Sequence, residues 1–372
     1  MPKLITDLPA DVVQHILVRM TLAHHIGRAA PTCKVVSVAA RNARKVRKFS
    51  SEVVTLGGDE DRVHCLAVAP NGRIVTGSHD GYVKVWCDGA CEHTFDKFGD
   101  DAHIDEMTGD APVNAVAVLP GGARFVSASN DETAKLWTLE GGFERTFEAG
   151  CEVRCVAALP DGAHFVVGLG FGFDEDEDEQ HEDSYSLKLY HVDGTLVHAF
   201  KGHTESAWAV AVTPDGQHII SGSRDHLVMV WSVATKSLVS ICHGHTNDVL
   251  AVAAIPDGRI LSSGAYPDIA IRVWHLRGIS STAVPFASHL ENEFKLHDDD
   301  EVKALVALPD NQHALSGSFM IIKLFNVNDS AVMRTLSHHT HWVRHLALLP
   351  DGRRFVSCSG DNARIVQHGL AL

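Results

Sequence analysis

Seven times along the chain a proline followed by a short polar turn ends one apolar run and starts another. The turns begin at Pro70, Pro120, Pro160, Pro214, Pro256, Pro309 and Pro350, between 40 and 54 residues apart. About a dozen residues after most of them comes an aspartate, with an aromatic residue six positions later: Asp80 and Trp86, Asp131 and Trp137, Asp225 and Trp231, Asp268 and Trp274. A period of roughly 40–50 residues with strands on both sides of each turn predicts a mainly β chain folded as a β-propeller of seven blades.

The fourth repeat is the clearest. Trp208 to Val212 reads as an inner strand, and Pro214-Asp215-Gly216 makes the turn, because proline pre-sets φ and glycine tolerates a positive one. His218 to Ser221 returns as a second strand, Leu227 to Trp231 as a third and Leu238 to Cys242 as a fourth. The Gly202-His203 pair, Ser221-Gly222-Ser223, Asp225 and Trp231 resemble the WD-repeat family. That resemblance implies a hydrogen-bonded network of His203, Ser221, Asp225 and Trp231 inside the blade. A buried imidazole and indole N–H need partners, and a turn carboxylate can serve. His245, Asp268 and Trp274 repeat the set in blade five, and His339 and Asp361 in blade seven, where Gln367 is expected in the tryptophan slot. In blades three and six Tyr190 and Phe325 take that slot while Ser184 and Phe319 replace the aspartate, so those blades are expected to rely on packing alone. After Ala363 to His368 the last blade lacks an outer strand, and Glu52 to Leu56 is a spare one. It resembles the closing strand of WD-repeat propellers. The propeller is therefore placed at 51–372, closed by strand 52–56, and proline in place of Val53 or Val54 is expected to destabilise the whole ring.

Residues 4–48 follow a different period. Val12, Val13, Ile16, Leu17 and Met20 make a helical stripe, with Pro9 and Asp11 suited to its first turn. Further helices are expected over about 24–30 and 33–48. Leu8-Pro9, this stripe, Ile26 and Cys33-Lys34 resemble an F-box, although Val36 stands where that family commonly has tryptophan. The order F-box, then WD repeats, resembles the substrate receptors of cullin-type ubiquitin ligases. It implies that Leu8, Pro9, Val12, Val13, Ile16, Leu17, Met20 and Ile26 dock a Skp-type adaptor, bringing the chain to the cullin ligase core while the propeller binds a protein or phosphopeptide substrate. Two alternatives stay open: a helical cap packed on the propeller, and a WD-repeat interaction scaffold with no link to ubiquitination.

Charge divides the chain in the same place. Residues 1–50 carry a net charge of +7 and the remaining 322 a net charge of −22. An acidic body argues against nucleic-acid binding, which depends on neutralising phosphates. No apolar run approaches a membrane span, no CxxC pair occurs and Met1 to Leu8 lacks a signal-peptide core, so a reduced protein of the cytoplasm and/or nucleus is expected. The basic run Arg41 to Lys48 reads as a solvated helix face, a contact for an acidic adaptor or a nuclear address. The acidic stretch 174–183 fails the calcium-loop pattern, with Glu179 where glycine is needed and Tyr185 where glutamate is needed. It reads as a solvated loop, as does His297 to Glu301. No catalytic motif, metal site or cofactor site emerges, and the chain is not expected to be an enzyme.

A binding surface is expected where the inner strands begin, six residues before each proline: His64, Asn114, Arg154, Trp208, Leu250, Lys303 and Arg344. Arg224, in the blade-four turn, joins His64, Arg154, Trp208, Lys303 and Arg344 as a candidate substrate contact. Three firm cations on an acidic body suit an acidic or phosphorylated segment, with Trp208 as an aromatic anchor. In the competing arrangement these cations pair with neighbours such as Glu152 and Glu301.

Overall fold

The computed structural model of the protein describes residues 53–56, 62–95, 111–170, 185–276, 286–287, 289–297 and 300–370. The described residues form seven sheets, six of four strands and one of five. The inner strands are Val63–Val68, Val113–Val118, Val153–Ala158, Ala207–Val212, Val249–Ala254, Ala304–Ala307 and Val343–Leu348. Each packs on the next, and the seventh packs on the first, so the sheets close into a seven-bladed propeller. The expected helices over 4–48, the basic run 41–48 and the acidic stretch 174–183 lie outside the described residues.

Burial grades outward across each blade. The second strands Ile74–Ser78 and Arg259–Gly264 are buried along their whole length because other blades cover both faces, and the other second strands are buried past their first residue. The outer strand Val332–Leu336 is exposed at every residue except Leu336. Apolar side chains of neighbouring blades interlock: Val75, Val85 and Phe95 of blade one pack on Val113, Phe125 and Trp137 of blade two. The close approach fixes glycine at one strand position. A Cβ on Gly222 would stand 2.5 Å from Val249 Cγ1, and one on Gly317 2.6 Å from Val343 Cγ1.

The ring is closed by a short strand, Val54–Thr55, which pairs antiparallel with the last strand through Val54 opposite Ile365 and Thr55 opposite Arg364. The Leu56 N–H donates to the Ala363 carbonyl at 2.9 Å. The side chain that weighs most in this closure is Leu56. Leu56 is fully buried against residues of blades one and seven, including Leu66, Trp86, Val356 and Ala363, whereas Val53 and Val54 are 41% and 44% exposed. In blade four the extra strand is Phe286–Ala287, which lies parallel to the outer strand and covers Ser240 and Ile241.

Candidate protein-interaction site

Each blade is held by a polar core. In blade four the Nδ1–H of His203 donates to Asp225 Oδ2 at 2.7 Å, leaving Nε2 to accept the Ser221 hydroxyl at 2.7 Å. Ser221 Oγ in turn accepts the Trp231 indole N–H at 2.9 Å. His245, Asp268, Ser262 and Trp274 repeat this relay at 2.7 to 2.8 Å. His339 contacts Asp361 at 2.7 Å and Ser357 at 2.8 Å. Burial pushes the Asp268 carboxyl up, but hydrogen bonds from His245, the Thr246 N–H and Arg272 outweigh it and hold the group well below the usual carboxylate range. Asp225 and Asp361 are lowered by the same contest between burial and donors. Burial keeps His245 and His339 below the ordinary histidine value despite their carboxylate partners.

The structure corrects three blade assignments. Val366, not Gln367, fills the tryptophan slot of blade seven: the turn after Asp361 is one residue shorter, and Val366 stands opposite Phe355 as Trp231 stands opposite Ile219. Blade six is not held by packing alone. His297, expected in a surface loop, is buried and contacts Ser316 Oγ at 2.7 Å. It lies twelve residues before its proline instead of eleven, which hid it in the spacing. In blade three the Tyr190 hydroxyl donates to the Glu148 carbonyl at 3.1 Å, and Lys188 donates to the Ala149 carbonyl at 2.7 Å. Ser184 lies outside the described residues.

The seven positions six residues before each proline converge on one channel of about 170 Å³, lined by His64, Asn114, Arg154, Trp208, Leu250, Lys303 and Arg344. The reason is a repeated backbone irregularity. In six inner strands the pairing skips one residue, as where Val63 opposes Ser78 and Cys65 opposes Gly77, leaving His64 as the extra residue of a β-bulge. Asn114, Arg154, Trp208, Leu250 and Arg344 occupy the same skipped position. A bulge breaks the alternation of the strand and re-aims the side chain. Arg224 is not brought to this channel; its Nε stands 3.8 Å from Asp248.

The cations of the channel are not equivalent. Arg154 forms an ion pair with Glu152, and its guanidinium lies 5.4 Å from the Trp208 ring centre. Lys303 stands 3.1 Å from Glu301 and 4.6 Å above the Trp342 ring. Arg344 is half-buried, and among the described residues no carboxylate pairs with it. Next to this mouth the blade-six turn places Phe319 where other blades carry aspartate. Its ring packs on Trp342 at 5.2 Å, and Phe319 and Met320 are each 38% exposed. Tyr266 is 63% exposed, and its N–H donates to Glu301 at 3.2 Å. Charge and exposed aromatic surface thus lie side by side, as at docking faces. A wider hollow of about 550 Å³ between the Pro214 and Pro256 turns offers less. Asp215 there is bound by Thr213 and Gln217, and Asp257 by Arg259.

The WD domain, G-beta repeat family matches residues 50–87, 99–138, 194–232, 236–275 and 330–364, just over half of the chain. The chain belongs to the WD40 repeat family. The matched stretches end in the third strands of blades one, two, four, five and seven, leaving out the two blades without aspartate and tryptophan. Among similar proteins, WD repeat-containing protein 1 of Gallus gallus is 31% identical over 46% of this chain and 25% of its own length. Nuclear distribution protein nudF of Emericella nidulans is 29% identical over 67% of this chain and 57% of its own. Small ribosomal subunit protein RACK1y of Oryza sativa subsp. japonica is 28% identical over 48% of this chain and 52% of its own. The matches span less than two thirds of these relatives. WD40 propellers are non-catalytic protein-interaction scaffolds, and this chain has their architecture. Among the described residues no three His, Cys, Asp or Glu side chains gather as a metal site, and no helix is long and apolar enough to cross a membrane.

Proposed function

We propose that the channel mouth and the aromatic surface beside it are where this propeller holds a partner protein. The observation that carries this reading is the convergence of seven bulged or strand-leading side chains, three of them firm cations, next to exposed Phe319, Met320 and Tyr266. The segment bound there is acidic or phosphorylated and carries an apolar anchor. The finer reading is a substrate receptor of a cullin-type ubiquitin ligase, active in the cytoplasm and/or nucleus. Leu8-Pro9, the stripe from Val12 to Met20, Ile26 and Cys33-Lys34 support it as an F-box docking a Skp-type adaptor.

One cross-linking experiment on the full chain tests both levels. Proteins captured by the wild type should be lost together when Arg154→Glu and Lys303→Glu reverse the mouth. A capture profile unchanged by that pair overturns the docking face. A Skp-type adaptor should be in the captured set and disappear with Leu17→Asp alone. Its absence at micromolar concentration leaves an interaction scaffold outside the ubiquitin system.

A further inference from the structure

The side of the channel between blades one and seven has an imbalance that the other sides lack. Arg154 and Lys303 are each answered by a carboxylate on their own strand entry, but among the described residues no carboxylate answers Arg344. Burial lowers its basicity against an opposing influence of the Cys358 thiol, and a second cation, Arg62, adds to the lowering. Across the seam His64 leaves its buried Nε2 without a partner, and His345, also in the lining, leaves its buried Nδ1 without one. Burial and the charges of Arg344, His79 and Arg62 push the His64 imidazole down to about 3. An unanswered guanidinium inside a protein cleft is costly, and an anion is what relieves it.

We infer that the seam side of the mouth is an oxyanion site, in which the Arg344 fork grips one tetrahedral oxyanion, with Arg62 adding charge and His64 an imidazole N–H. A planar fork of donors matches phosphate or sulfate oxygens two at a time. A channel of about 170 Å³ takes a group of this size, whereas pockets for larger ligands begin near roughly 300 Å³. The site lies within the docking face proposed above and rests on that reading for its biological ligand, which is either free phosphate or a phosphorylated side chain of the partner. It also has a consequence of its own. Arg344 belongs to blade seven and His64 to blade one, so a bound anion spans the junction closed outside by Val54–Thr55. Occupancy therefore stabilises the ring.

Inorganic phosphate is the probe. Titrated into the full chain at constant ionic strength, it should bind saturably at one site per chain and raise the Tm progressively with its concentration. Arg344→Gln should abolish both effects, Arg344→Lys should weaken them at least tenfold, and Arg353→Gln, at an exposed cation outside the channel, should leave them in place. The absence of saturable binding, or equal binding by Arg344→Gln folded to the wild-type circular dichroism spectrum, overturns the site. Displacement of phosphate by a phosphoserine peptide, but not by its serine form, assigns the site to a phosphorylated partner. Binding of phosphate without displacement assigns it to the free anion, and either result upholds the site. Cross-linked partners that ignore the mouth substitutions while phosphate still binds refute the docking face and leave the anion site standing.

Discussion

Ser221 offers the sharpest test of how a blade is held. Its fully buried hydroxyl donates to His203 Nε2 at 2.7 Å and accepts the Trp231 indole N–H at 2.9 Å. Ser221→Ala orphans both groups, in a place water does not reach. A buried polar group left without a partner costs about 1–3 kcal/mol, so the pair amounts to about 2–6 kcal/mol. Ser127 is the internal control, because among the described residues Trp137 Nε1–H is the one buried ring group its hydroxyl accepts, at 2.8 Å. Ser127→Ala should cost about 1–3 kcal/mol. Urea denaturation followed by circular dichroism reads the difference as a shift in midpoint at unchanged slope. Trp231→Phe removes one of the two orphans, so the double variant Ser221→Ala/Trp231→Phe should recover about 1 kcal/mol relative to the sum of the single changes. Equal costs for Ser221→Ala and Ser127→Ala, or additivity in the double variant, would refute the relay as the source of blade stability.

Two further outcomes follow from the closure and from the buried titratable groups. Leu56→Ala should destabilise the propeller by about 2–5 kcal/mol, while Val54→Ala should stay within about 0.5 kcal/mol; thermal melts that rank them the other way would contradict the closure described here. His338 and His345 are held at about 4 by burial, joined for His338 by the charges of His339 and Arg364, and His64 is held at about 3. Their ordinary value is 6.5, so between pH 6.5 and about 4 the unfolded chain takes up protons that the folded chain refuses. Stability should therefore fall through that window as pH drops. It should fall further below the ordinary carboxylate range, where the lowered Asp225, Asp268 and Asp361 must be protonated. Urea midpoints that are flat between pH 7 and 5 would rule out the buried neutral histidines.

The mouth shows how much of a binding face can be read before folding. Counting back six residues from each proline finds one channel-lining residue on every blade, because the turn and the inner strand are locally rigid and repeat in register. Counting does not show why those side chains point inward, since the bulge exists only once the second strand is paired. Nor does it separate Arg344 from Arg154 and Lys303. Glu152 and Glu301 each lie two residues before their cation, whereas the corresponding residue before Arg344 is Trp342. That contrast stands in the sequence, but its meaning depends on which cations are buried together. Arg224, a cation in a repeat turn, stands beside Asp248 and is not among the residues that line the channel.

By itself the sequence determined the number of blades, the turns between strands, the full relay of blade four and the His and Asp positions of blades five and seven. These depend on short-range spacing that each repeat carries within itself. Only the tertiary structure decided what depends on a neighbour. Leu56 is the side chain that seals the ring, because the last blade and the first meet around it. Val366 replaces Gln367 once a turn shortened by one residue shifts the pairing, and His297 joins its blade although its spacing is one residue long. The charge balance of the mouth was decided in the same way. A cation is answered or left unanswered by the groups that folding brings beside it, and at Arg344 folding brings Arg62 and His64.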